Sequence, residues 1–390
     1  MSVLTEARLL QPKLVAWRRD VHRHPELGFR EHRTARIVAN HLSELGLEVQ
    51  TGLAVTGVVG LLKGSRPGPT IALRADMDAL PIQEANVVDY ASGEEGIMHA
   101  CGHDGHTAML MGAAEVLARH RDRLCGQVKF IFQPAEEGPG GAEPMIEAGV
   151  LEDPPVDAMI ALHLHTDIPT GQVAIKYGVA STCAAGFELT ITGKGGHGAV
   201  PHKAVDPIVA AAATVMAVQS IVSRQIDPLQ AAVITIGTME GGYRSNVIAH
   251  SVKMTGTMRS LEWDVLLFLI EQFTFTVRQV TKAYGCQTEI EVEHGYPAVV
   301  NDETICRVVE HAARSLLGSS SVSRAGQPML GSEDFALFSL KCPSCFFRLG
   351  AQNTDRGFTQ AWHHPSFDFD EEALSIGVAV FSQAVLDYCC

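Results

Sequence analysis

Apolar positions Leu10, Leu14, Trp17 and Val21 recur at helical spacing over residues 4–22, a helix that His24-Pro25 closes. A second helix is predicted over 34–45, ended by Gly46. From there the pattern alternates. Residues 55–63, 70–74, 128–132 and 158–163 read as strands, with helices over 107–120 and 142–148 among them. Strands alternating with helices predict a largely parallel sheet covered on both faces. The rhythm changes near Ser181, where strand 186–193, helix 206–225, strands 232–237 and 247–259, helix 262–284 and strand 288–294 follow one another. That β-α-β-β-α-β order belongs to a ferredoxin-like sandwich. After Pro297 come helix 302–316, a loop around 326–334, strand 345–349 and helix 371–387. The pattern thus predicts an α/β fold: one mostly parallel-sheet domain made from both ends of the chain, 1–182 and 296–390, interrupted by an inserted domain over 183–295.

Composition narrows the classes. The chain has 390 residues, 46% hydrophobic and 19% charged, enough for sizeable cores and unlike a disordered chain. Thirty Lys plus Arg against 44 Asp plus Glu give a net charge of −14, which argues against a nucleic-acid groove or a polybasic membrane patch. Residues 1–29 are charged throughout and show no secretory signal, and the longest apolar run, 208–218, is far short of the roughly 20 residues that span a bilayer. A soluble cytoplasmic protein is the expectation. The nine cysteines have no framework spacing. Cys342-Pro-Ser-Cys345 runs into a strand rather than opening a helix, which favours packed reduced thiols over a redox centre, and the terminal Cys389-Cys390 has no assignable role.

Ligands of open parallel sheets bind beyond the carboxyl ends of the strands, and five segments meet there. Strand 70–74 runs into Asp76-Met-Asp78, strand 128–132 into Glu136-Glu137, and strand 158–163 into His163-Leu-His165. Cys101-Gly-His103-Asp104-Gly-His106 precedes a helix, as does His363-His364-Pro365. Thiolate, imidazole and carboxylate together suit zinc or a similar divalent ion, and the donors are too many for one catalytic ion that keeps an open position. Two ions sharing the thiolate would use them all. Of Glu136-Glu137, one carboxylate can bind metal while its neighbour takes a proton from water, which points to a hydrolase. A cysteine hydrolase with Cys101 as nucleophile and His103 or His106 as base is an alternative, as is a non-catalytic metal-binding protein.

Asp20-Val-His22-Arg-His24-Pro, Arg74-Ala-Asp-Met-Asp-Ala-Leu-Pro81, Met98-His-Ala-Cys-Gly-His-Asp-Gly-His106, Gln133-Pro-Ala-Glu-Glu-Gly138, Gly193-Lys-Gly-Gly-His-Gly198, Gly331-Ser-Glu-Asp-Phe335 and His363-His-Pro-Ser-Phe-Asp368 follow one another along the chain. Together they resemble the dimetal amidohydrolases that include hippurate hydrolase, N-acyl-amino-acid amidohydrolases (aminoacylases) and auxin–amino-acid conjugate hydrolases. The resemblance implies two divalent ions (Zn, or Mn, Co or Ni), with Cys101 shared, His103 and His163 on one, and Glu137 with His363 on the other, His364 being the alternative. It implies Glu136 as general base and Asp78 as the carboxylate that orients a ligating imidazole, with Asp104 competing for that role. In the inserted domain it implies His197 as the group that stabilises the developing oxyanion, commonly in the partner subunit's site, and Asn246 and Arg259 as holders of the substrate carboxylate. That domain would close over substrate and join the chain into a homodimer or higher homo-oligomer. The expected reaction is hydrolysis of N-acyl-L-amino acids, with a dipeptidase or carboxypeptidase as the alternative.

Overall fold

Strands covered on both faces need unbroken apolar runs, and four segments supply them: residues 70–76, 128–133, 158–166 and 344–347 are buried without a gap. In the computed structural model, which describes residues 1–389, they form the centre of an eight-stranded sheet. Its order is Glu48–Leu53, Gly57–Lys63, Cys125–Gln133, Arg66–Asp76, Ala158–Pro169, Ser344–Gln352, Val173–Ile175, Val322–Arg324. The third to sixth strands are mutually parallel, and the first three and the Ser344–Gln352/Val173–Ile175 pair are antiparallel. The sheet belongs to a unit made of Met1–Ala180, Val299–Pro328 and the chain from Asp334 onward.

Period-two alternation sorts its side chains. Phe347 meets Phe381 of helix Glu372–Cys389 at 5.8 Å, whereas Phe346 faces Phe335 at 5.4 Å and His163 at 6.3 Å. Helix Glu372–Cys389 packs on helices His103–Arg119 and Glu303–Leu317. It is long and apolar enough to cross a membrane by length and composition, as is Pro207–Gln225, but most of its apolar window is buried in this core.

The chain leaves Arg66–Asp76 for neighbours on opposite sides, Cys125–Gln133 and then Ala158–Pro169, so the strand order reverses there. Pairing with Ala158–Pro169 ends at Arg74↔Ala161, while pairing with Cys125–Gln133 continues to Asp76↔Gln133. The strands therefore part at their carboxyl ends, where a switch-point crevice is expected.

Several element bounds differ from the sequence pattern. The first helix is two, Val3–Leu9 and Gln11–Arg23, because Pro12 starts a new helix at its first turn. Edge strand Glu48–Leu53 and helix Phe335–Ser339 add to the expected elements, and the predicted 247–259 strand is split into Val247–Ile248 and Ser251–Ser260. The helix expected from Thr107 begins at His103, after Gly102 takes φ 92°. A side chain on Gly105 would come within 2.7 Å of Leu164 and Phe369. Cys342 and Cys345 are buried and not bonded to each other; the Cys345 sulfur lies 3.7 Å from that of Cys306. Cys390 lies outside the described residues.

The second unit comprises Ser181–Ala298 with Met329–Glu333, a stretch tied in by the Thr182 hydroxyl, which donates to the Leu330 carbonyl at 2.9 Å. Its four-stranded sheet runs Ala232–Gly241, Ser251–Ser260, Cys183–Thr192, Gln287–His294, every neighbour antiparallel, as the β-α-β-β-α-β order requires. Phe187 of the sheet meets Phe273 of helix Trp263–Ala283 at 4.4 Å in its core. A second ribbon pairs Gly196–His197 with Val247–Ile248.

Candidate metal centre

Two donor triads share one sulfur. Cys101, His103 and His163 bring ligand atoms within 4.8 Å of one another, and so do Cys101, Glu137 and His363. Cys101 stands just before the Gly102 turn, its sulfur 3.4 Å from His163 Nε2. His103, first residue of its helix, is held by Nδ1, 3.0 Å from the Asp78 carbonyl and 3.2 Å from Asp78 Oδ1. Its buried Nε2 has no hydrogen-bond partner among the described residues. His163 donates Nδ1–H to the Leu164 carbonyl at 2.8 Å, which presents Nε2 to Cys101. Glu137 is anchored by its backbone N–H on Asp78 Oδ2 at 3.0 Å, with Oε1 3.1 Å from His363 Nε2 and 3.9 Å from His103 Nε2.

Glu136 is 8% exposed and groups with His103 and Glu137 within the same 4.8 Å. Two of the six non-glycine residues with positive φ among the described residues frame this pair of triads: Ala135 at φ 53° and His363 at φ 63°. Backbone strain of this kind collects at functional sites. His363 is fixed by its N–H on the Ala100 carbonyl at 2.8 Å, whereas His364 turns Nδ1 back to the Ser366 N–H at 3.0 Å. Of the two adjacent histidines, His363 is thus the one that reaches Cys101 and Glu137.

Electrostatics favour a cation. Burial lowers the His103 pKa, yet Asp76, Asp78 and Glu137 overcome it and hold the imidazole up at about 10. Burial, then the like-charge neighbours Glu137 and Glu136, push the Cys101 thiol well above its usual range. Burial, then His106 and His165, hold His163 well down, neutral and available as a ligand. A buried, partnerless imidazole nitrogen, a neutral imidazole, a thiol and a carboxylate excess fit two divalent ions with Cys101 between them. They do not fit a cysteine nucleophile: a thiol pushed up by burial is a poor source of thiolate. His106 is no base for it either, since Nδ1 donates to Asp76 Oδ1 at 2.6 Å and Nε2 accepts the Leu164 N–H at 3.0 Å.

Asp78, and not Asp104, steadies His103. Asp104 is taken by the buried guanidinium of Arg18 at 2.7 Å and by His22 Nδ1 at 2.8 Å, because its place in the first helical turn points it at the helix Gln11–Arg23. In the sequence pattern His106 stands only as a possible base for Cys101 and Asp76 only as a strand-end carboxylate, and Trp362 has no role, although all three touch the site. The signal for His106 is its place one turn after His103 on one helix.

In the second unit, His197 and Asn246 stand side by side: Val247 is the register partner of His197, and the Gly198 N–H donates to the Asn246 carbonyl at 2.9 Å. Arg259 lies at the far end of its sheet, paired with Ala184 and donating to the Leu330 carbonyl at 3.2 Å. From Ser251, at the Asn246 end, to Arg259 is about 27 Å along the strand at the usual rise per residue.

Residues 72–387 match peptidase family M20/M25/M40. The chain is 40% identical to an N-acetylcysteine deacetylase of Bacillus subtilis, over 95% of each chain. It is 39% identical to thermostable carboxypeptidase 2 of Saccharolobus solfataricus, over 95% of this chain and 94% of that one. Its fold superposes with a TM-score of 0.83 on a Bacillus subtilis protein described as a dinuclear metal binding peptidase of the M20 family, at 35% identity over 97% of this chain and 98% of that one.

Proposed function

Because the chain belongs to peptidase family M20/M25/M40 and is a metal-binding hydrolase, we propose that it cleaves the amide bond of N-acyl-L-amino acids, of N-acetyl or N-benzoyl type, to a carboxylic acid and a free amino acid. The observation that carries this is the pairing of Glu136 with Glu137 against two donor triads that share Cys101. The second of the pair is committed to the His363 side of the site, and the first, grouped with His103 and Glu137, is the candidate for proton transfer.

Cys101, His103, His163, Glu137 and His363 would hold the two ions, zinc or manganese, cobalt or nickel. When bound, the ions supply the Lewis acidity that makes water acidic near neutral pH. Glu136 takes the proton of the attacking water and returns it to the leaving amine as the C–N bond breaks, so acid and amine are released with the proton accounted for. His197 donates to the oxygen that gains charge. Arg259 offers its fork to the substrate carboxylate. Since Ser251, at the Asn246 end of the inserted sheet, lies about 27 Å along its strand from Arg259, we take one small substrate to meet both groups only if they come from two chains. That supports a homodimer, with Asn246 acting beside His197 rather than beside Arg259. A cytoplasmic location is part of the proposal.

Glu136→Gln is expected to lower kcat at least about 10²-fold with two metal equivalents retained, and near-normal turnover would remove the base. Cys101→Ala is expected to lose metal together with activity. The similarity to a carboxypeptidase favours one second function, exopeptidase action. A panel of N-acetyl and N-benzoyl amino acids against dipeptides and blocked peptides, with Zn, Mn, Co and Ni added in turn, separates the two by kcat/KM.

A further inference from the structure

The strand Ala158–Pro169 carries His163 past the point where its neighbour stops supporting it. Register with Arg66–Asp76 ends at Arg74↔Ala161, so the Leu164 N–H has no acceptor on that strand. His106 supplies one. Its Nε2 accepts the Leu164 N–H at 3.0 Å, and its Nδ1–H is fixed by Asp76 Oδ1 at 2.6 Å, which leaves the ring a single tautomer. Asp76 is itself held on two sides: Arg74 donates to its Oδ2 at 2.6 Å, and the Thr107 hydroxyl donates to its carbonyl at 3.0 Å. Beyond Leu164, its carbonyl accepts from His163 Nδ1 at 2.8 Å and from the Trp362 indole N–H at 2.9 Å. The Trp362 ring stands edge-on to His163 at 4.5 Å. All these groups but the indole are buried.

We propose that His106 is a positioning residue for the metal centre: with Asp76 behind it, it clamps the backbone at Leu164, and the Leu164 carbonyl in turn aims His163 Nε2 at Cys101. The proposal rests on Cys101 and His163 being metal ligands. It also explains why the Asp76–His103–His106 cluster, close enough to hold an ion, does not need one: both nitrogens of His106 already have partners.

The consequence is asymmetric. Losing the clamp loosens first the half of the centre that uses His163, since Glu137 and His363 have anchors of their own on Asp78 and the Ala100 carbonyl. Support around a ligand is commonly worth 10–100-fold in metal affinity, and because His106 acts through a backbone segment the expected loss is at the low end, about tenfold. His106→Leu removes both hydrogen bonds. His106→Gln can give one to Asp76 and take one from Leu164, and serves as the rescue.

The probe is cobalt(II), titrated into metal-free protein by calorimetry and followed by the visible spectrum, including thiolate charge-transfer absorption. Wild type is expected to take two equivalents and His163→Ala to lose one. His106→Leu should keep one site at wild-type affinity and weaken the other about tenfold with a shifted spectrum, while His106→Gln stays near wild type. If His163→Ala binds two cobalt ions as wild type does, the ligand assignment fails, and the clamp with it. If His163→Ala loses one and His106→Leu binds both unchanged, the clamp alone is overturned. Should His106→Leu not fold, nitrogen NMR of the histidines in the metal-loaded wild type decides: the His106 proton is expected on Nδ1, and a proton on Nε2 overturns the proposal.

Discussion

A single buried carboxylate shapes the turn that carries Glu136 and Glu137. Glu31 is fully buried; its Oε2 accepts the Thr56 hydroxyl at 2.5 Å and its Oε1 the Ala135 N–H at 2.9 Å. Ala135 has φ 53°, and a side chain in that conformation persists only where neighbours hold it. Glu31→Ala leaves a buried hydroxyl and a buried amide without partners, so a stability loss of about 2–3 kcal/mol is expected. Because the next residue is Glu136, kcat should fall about tenfold with KM little changed, a split typical of a group that matters in the transition state. Denaturant midpoints and steady-state kinetics on one preparation check both, and a KM effect alone would assign Glu31 to substrate binding instead. The donors Cys101, His103, Glu137, His163 and His363 are legible in the sequence because each sits at the end of a patterned element. The supporting roles of Glu31, Asp76 and His106 are not. Their partners are Ala135, Arg74 and Leu164, and no local pattern tells a buried carboxylate on a distant N–H from a solvated one.

At the scale of elements, a short edge strand must be fastened by something other than its ladder. Val322–Arg324 pairs over three residues with Val173–Ile175. Glu310 of helix Glu303–Leu317 accepts from Arg324 at 2.9 Å, Arg314 at 2.8 Å and the Tyr177 hydroxyl at 2.5 Å. Burial raises its pKa, but Arg324, Tyr177 and Arg314 outweigh burial and bring Glu310 down to about 2, from 4.5. A depressed carboxylate contributes its full stabilisation above its unfolded pKa and loses it as pH falls from about 4.5 to about 2. Arg324 and Arg314 are 63% and 40% exposed, so water screens the pairs and about 1 kcal/mol is the fitting magnitude. Glu310→Gln is expected to melt about 2 °C below wild type at neutral pH, with the gap closing at pH 2–3; a gap constant with pH would mean packing rather than charge. This clamp, like the strand it fastens, escapes the sequence pattern, since three residues carry no periodicity. The long elements were legible for the opposite reason: over ten residues or more the apolar spacing outweighs local exceptions. Pro12 shows the limit, cutting one helical pattern into two helices.

At the scale of the whole molecule, the inserted unit carries one candidate substrate-binding group, Arg259, near the end of its four-stranded sheet and the other, His197 with Asn246, at a separate ribbon that precedes the start of the same strand. The β-α-β-β-α-β order is readable from the sequence, and it alone decides that Arg259 ends the strand that follows Asn246. Ten antiparallel pairs between Ser251–Ser260 and Cys183–Thr192 keep that separation rigid. On the proposed reading, a substrate gripped by Arg259 would take its His197 and Asn246 from a second copy of the chain. Glu136→Gln and His197→Ala are each expected to be nearly inactive alone, for different reasons. In a mixed dimer, the chain that keeps Glu136 receives an intact His197 from its partner, so one of the two sites is complete. Random pairing of equal amounts makes half of the dimers mixed, and half of their sites complete, so about a quarter of wild-type kcat should return on co-expression. Activity that follows the dilution of the mixed dimers would tie turnover to association. If the mixture stays as inactive as its parents while both variants remain dimeric and metal-loaded, His197 serves its own chain and the separation along the sheet must be closed by some other movement.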